Sequence, residues 1–139
     1  MLGWLTRRRR TLGGVIQYAK DNLDPGRLEI IREAAVPWPN ERKYMDTEGW
    51  LRRLWKPASM LRLTRARKRL RILDLGTGAG HFPFICGYLG HDARGLDRPG
   101  SAFYDAMSDW MGVAITRVAI EPFKPLPPFE KKFDLITAF

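Results

Sequence analysis

The chain of 139 residues reads as an α/β fold in which a parallel sheet of about four strands carries flanking helices and follows a basic, mainly helical segment. Three observations predict this. From Leu70 onward, short apolar runs alternate with helical stretches at the spacing of βαβ units. A glycine-rich string, Gly76-Thr77-Gly78-Ala79-Gly80, stands where the first of those runs hands over to a helix. Charge also divides the chain: residues 1–71 hold 18 Lys and Arg against 7 Asp and Glu, a net of +11, whereas 72–139 hold 6 against 8, a net of −2.

Taken in order, Gly13, Gly14 and the turn Asp24-Pro25-Gly26 leave room for one short helix over about 15–22. Leu28, Ile31, Ala34 and Ala35 recur at helical spacing before Pro37 and Pro39, which predicts a helix over about 26–35. Past VPWPN, Thr47 and Glu48 open a third helix with Trp50, Leu51, Leu54 and Trp55 on one face and Arg52 and Arg53 opposite, ended by Lys56-Pro57. Met60, Leu61 and Leu63 start another, and RLTRARKR leads into the sheet. Strands are expected at 71–75, 93–97, 113–120 and 133–139, with helices at 82–89 and 101–111 and a proline-rich loop before the last strand. Such an order implies parallel pairing with right-handed crossovers. The division falls into a segment 1–69 and a domain 70–139.

Composition narrows the class. Hydrophobic residues at 45% and aromatics at 12% suffice for a packed core. The single cysteine, Cys86, excludes an intramolecular disulfide and a zinc cluster and suits a reducing compartment, so a cytoplasmic location is expected. No apolar stretch of signal-peptide type follows the arginine run at 7–10. No run reaches the roughly 18 apolar residues of a membrane span.

The chemistry concentrates at Asp74 and the loop behind it. Glycines at 76, 78 and 80 let backbone approach a ligand closely, and the helix that follows points free N–H groups at the same place. A dinucleotide fingerprint would need a third glycine at 81, where His81 stands. Asp74, directly before the loop, repels a pyrophosphate and suits a ligand that is cationic at that end.

ILDLGTGAG resembles the first motif of class I S-adenosylmethionine-dependent methyltransferases, whose domain is Rossmann-like. Asp97, closing GLDRP, resembles that family's ribose-binding acid, and KFDLITAF resembles its fourth strand. The resemblance spans about 71–139. It implies S-adenosyl-L-methionine as cofactor, with Asp74 anchoring the ammonium directly or through water. Gly76, Thr77, Gly78, Ala79 and Gly80 would line its methionine and ribose portions. Asp97, with Arg98 beside it, would hold the ribose hydroxyls. Ile120 or Glu121 would meet the adenine, although Pro122 behind them cannot donate a hydrogen bond. Ala138 and Phe139 would border the site from the fourth strand. His81 is open between a contact to the cofactor's carboxylate and an exposed helix cap.

The implied reaction is methyl transfer to an acceptor, with a small molecule, sugar or lipid favoured. Placing nucleophile, methyl and sulfur in line supplies about 7 to 11 kcal/mol. No catalytic base is assigned. The family's usual strand order is 3-2-1-4-5-7-6, and the first four strands are placed here. The others are then expected from a longer chain or, more rarely, from another subunit. An alternative of a different class is a non-catalytic module that binds the cofactor or a nucleotide and docks to RNA through the basic half. Arg7 to Arg10 read foremost as a solvated terminus, and contact with RNA or an anionic surface is expected to be weak. Cys86 and the tryptophans Trp38, Trp50, Trp55 and Trp110 read as core residues, and His91 as a surface residue in a turn.

Overall fold

The computed structural model describes residues 10–35 and 37–139; the arginines at 7–9 lie outside them. Helix α1 (Leu12–Asn22) starts where the Thr11 hydroxyl accepts the Gly14 N–H at 3.0 Å. Helix α2 (Pro25–Ala34) starts where Asp24 accepts the Gly26 N–H at 2.8 Å, with proline in the first turn where no N–H is missed. Asp46 does the same for α3 (Thr47–Met60) through Gly49, at 3.0 Å.

Pro57 does not end α3. The helix runs on to Met60 with the proline inside it; the carbonyl deprived of its partner belongs to exposed Arg53, where water can satisfy it. Met60 therefore closes α3 rather than opening a helix, and only a 3-10 turn follows at Leu63–Arg65.

Strands β1 (Arg71–Leu75), β2 (Asp92–Asp97), β3 (Ile115–Arg117) and β4 (Leu135–Ala138) form one parallel sheet in the order β3-β2-β1-β4. The architecture is thus α/β with an all-parallel sheet, consistent with a Rossmann-like fold. Helices α4 (His81–Tyr88) and α5 (Ala102–Met111) make the crossovers. The strand expected over 113–120 is shorter than its apolar run. Its partner β2 ends at Asp97, whose carbonyl takes a last hydrogen bond from Val118 N–H at 2.9 Å, and nothing remains to pair with 119–120.

The main core lies on the Ile72 side of the sheet. Buried Phe82, Ile85, Cys86 and Leu89 from α4 and its following turn pack there with Val15, Ile16, Leu51 and Leu63, so the N-terminal helices and the sheet share one hydrophobic cluster. That explains why α4 is apolar nearly all round. Side chains alternate along a strand, so Leu73 and Leu96 point to the opposite face, where they are buried while Ile136 of the edge strand is 55% exposed.

Two residue expectations fail. Trp38 is exposed, because it sits in the proline-bounded turn beyond α2 rather than on a helix face. His91 is buried: its Nδ1 accepts the Leu70 N–H at 3.2 Å and its Nε2 donates to the Leu63 carbonyl at 3.0 Å, closing the joint between the N-terminal segment and the sheet. No helix among the described residues is long and apolar enough to cross a membrane.

Candidate functional site

The site lies at the carboxyl ends of β1 and β2, where open α/β sheets place their ligands. Gly76, Gly78 and Gly80 have φ of 67°, 60° and 96°, so each occupies the left-handed region that other residues enter at a cost. Gly76 N–H donates to the Leu96 carbonyl at 2.8 Å, and Gly80 N–H to the Thr77 carbonyl at 3.1 Å, which folds the loop back over the sheet. A Cβ built at Gly76 would meet no protein atom within 4 Å, and one at Gly78 only Tyr104 at 3.9 Å. The space over these two residues is open. Gly95 has a different role: a Cβ there would stand 2.4 Å from Thr77 Cγ2, so β2 leaves room for the loop's threonine.

Asp97 clasps the loop. Its Oδ2 accepts the Gly78 N–H at 2.6 Å, and its Oδ1 accepts the N–H of exposed Arg98 at 2.8 Å. A carboxylate offers about four lone-pair sites, so each oxygen keeps capacity for one more donor. Asp74 lies deeper, 4% exposed, and accepts a 2.7 Å hydrogen bond from the Thr137 hydroxyl of β4. Burial pushes its pKa up from the ordinary carboxylate value, while the Thr137 hydrogen bond pulls it back.

His81 is not an exposed cap. It is 2% exposed and stacks on Trp50, with ring centroids 5.8 Å apart. Burial pushes its pKa down to about 4, against a backbone hydrogen bond with Tyr44 and the charge of Asp46. Its Nε2 is a buried polar atom without a hydrogen-bond partner, whereas the Thr77 hydroxyl, also buried, faces the Asp74 carboxylate and helps to hold its pKa down.

The remaining expected residues divide. Ala138 pairs with Leu75 beside the loop, and the Phe139 ring meets that of buried Phe82 at 4.8 Å, so β4 ends next to the glycine loop. Ile120 and Glu121 lie beyond the end of β3; both are exposed, and Glu121 is engaged by Lys124. No hydrogen bond or ring contact among the described residues ties either of them to the glycine loop.

Sequence reasoning missed the roof. Tyr44, in the 3-10 turn Arg42–Met45, stacks on Trp50 at 4.7 Å and meets Tyr104 edge-on at 5.5 Å. Tyr104 in turn stands over Gly78. The Ser101 hydroxyl, at the start of α5, is 3.4 Å from both carboxylate oxygens of Glu41. Residues 41–50 therefore cover the strand ends. Thr137 had a signal, since parallel pairing of the two expected strands sets it beside Asp74; Tyr44 sits in a stretch with no periodicity and had none. Comparison of the chain with known protein families, with curated proteins and with solved structures returns no match.

Proposed function

We propose that the chain binds S-adenosyl-L-methionine over the glycine loop and is a methyltransferase of the class I type, acting on an acceptor still to be identified. One observation carries this: a carboxylate at the end of β2 is hydrogen-bonded to the middle glycine of a loop whose three glycines all have positive φ.

The residues fit such a cofactor. The room over Gly76 and Gly78 accepts a ligand against bare backbone. The spare lone pairs of Asp97 suit a vicinal pair of ribose hydroxyls. His81 Nε2 is an orphaned polar atom that a polar ligand would relieve. Asp74, fixed by Thr137, provides a buried negative charge under the cationic end and acts at short range without direct contact. The cofactor supplies a methyl group activated by its sulfonium. The chain's part is to orient it and to keep water out, and the stacked Tyr44, Trp50 and His81 serve the second need.

A thermal melt tests the proposal. The demethylated product, S-adenosylhomocysteine, should raise Tm in a concentration-dependent way, by about 2.7 kcal/mol of stability at a hundredfold excess over Kd. ATP at the same concentrations should not. Equal shifts with ATP, or none with the product, count against it.

A further inference from the structure

A second cavity, of about 720 Å³, lies away from the glycine loop, between α1, α2, the turn Arg42–Met45 and the start of α3, with Trp110 of α5 as its far wall. That volume is within the range of about 300 to 1,000 Å³ that small-molecule sites occupy. Its inner surface is apolar, formed by Ile16, Leu23, Leu28, Met45 and Leu51 together with Trp110. The Trp110 indole N–H is already used, donating to the Asp24 carbonyl at 2.8 Å, so the wall presents carbon rather than a polar group.

The mouth is charged, and its charges are unevenly satisfied. Both of its acids are engaged within the protein: Asp46 caps α3, and Glu48 takes Lys20 at 3.3 Å and Arg52 at 2.7 Å. Arg32, also at the mouth, pairs with Glu29 at 3.2 Å. Arg42 and Lys43 are left with no carboxylate partner among the described residues, although both line the opening. Lys43 Nζ also stands 5.2 Å from the centroid of the Tyr44 ring, a contact that does not neutralise it, so positive charge without a carboxylate sits at the mouth of an apolar interior.

We infer that this cavity binds a free amphipathic acid of small size, its apolar body against Leu23, Leu28 and Trp110 and its carboxylate against Arg42 and Lys43. The site is independent of the proposed cofactor site and stands whether or not the glycine loop takes S-adenosylmethionine. Apolar burial provides the affinity, and the two cations decide which headgroup is accepted.

Calorimetry on the full chain with decanoate, decanol and decyltrimethylammonium as probes tests it, all below their micellar concentrations. Decanoate should bind with one-to-one stoichiometry, decanol at least about tenfold more weakly, and the cation not measurably. The double variant Arg42→Gln, Lys43→Gln should lose at least about tenfold for decanoate and leave decanol unchanged. Leu28→Trp, at a half-buried position on the cavity wall, should abolish both. Retained decanoate binding in a folded Leu28→Trp protein would overturn the inference. So would equal affinity for decanoate and decanol, or binding to phosphatidylglycerol vesicles without binding to free decanoate.

Discussion

His81 has its ring buried, stacked on Trp50 and short of a partner at Nε2. A histidine held at a pKa of about 4, below its ordinary 6.5, adds stability at neutral pH that is lost as pH falls through that interval. At 1.36 kcal/mol per unit, the wild-type protein should lose about 3 kcal/mol between pH 7 and 4 from this group alone. Denaturant titrations across that range should show the loss shrinking in His81→Phe, which keeps the stacked ring; parallel pH profiles would refute it. Asp74 has the opposite sign. Its raised pKa means that the folded protein favours the protonated form, so its contribution is present at low pH and falls away as pH rises through the folded pKa. Asp74→Asn keeps an acceptor for Thr137 and should raise Tm at neutral pH while weakening cofactor binding. Asp97→Ala should weaken S-adenosylhomocysteine binding by about 1.5 to 3 kcal/mol. Asp97→Asn can still accept the Gly78 N–H but not the Arg98 N–H as well, and should fold with a loss of about 0.5 to 1.5 kcal/mol. The positions of Asp74 and Asp97 were legible because one is the penultimate residue of an apolar strand that runs into the glycine loop and the other closes an apolar strand before a turn. The burial of His81 and His91 was not, since it depends on α3 and on the turn Leu63–Arg65 closing over them.

At the scale of elements, the loop and β2 fit each other through one missing side chain. Gly95→Ala would push a methyl group to within 2.4 Å of Thr77 Cγ2, against a strand that is paired on both sides and cannot retreat. The expected cost is about 1 to 3 kcal/mol of stability, measured by denaturant unfolding, with a displaced loop that no longer binds ligand. A neutral effect would mean that the loop is softer than its hydrogen bonds to Leu96 and Asp97 imply. Helices and strands with a clear apolar period were legible to within a few residues: β1 falls at its expected limits, and α5 begins one residue later than expected. The misses come from context. β3 was overdrawn because an apolar run says nothing of where its partner stops, and α3 was underdrawn because a proline near a helix end costs little when water can satisfy the carbonyl it strands.

On the scale of the whole molecule, parallel pairing follows from the βαβ alternation and was legible, and the order β3-β2-β1-β4 is the one the family resemblance implied, whereas the docking of residues 41–50 over the strand ends was not legible: it rests on aromatic contacts between Tyr44, Tyr104 and Trp50 that no local pattern announces. The basic half spends part of its charge internally, through Lys20 and Arg52 on Glu48 and through Arg10 on the Ala66 carbonyl. Filter binding should accordingly show weak RNA affinity that fades by about 150 mM salt and ignores sequence; sub-micromolar, sequence-selective binding there would favour a nucleic-acid role instead. The central claim concerns the ligand of the glycine loop, and calorimetry of the full chain with S-adenosylhomocysteine and with NAD, in parallel with Asp97→Ala, tests it most directly. The account predicts one-to-one binding of S-adenosylhomocysteine, tighter than NAD and weakened in the variant. Tighter binding of NAD, or S-adenosylhomocysteine binding untouched by a folded Asp97→Ala, would contradict it.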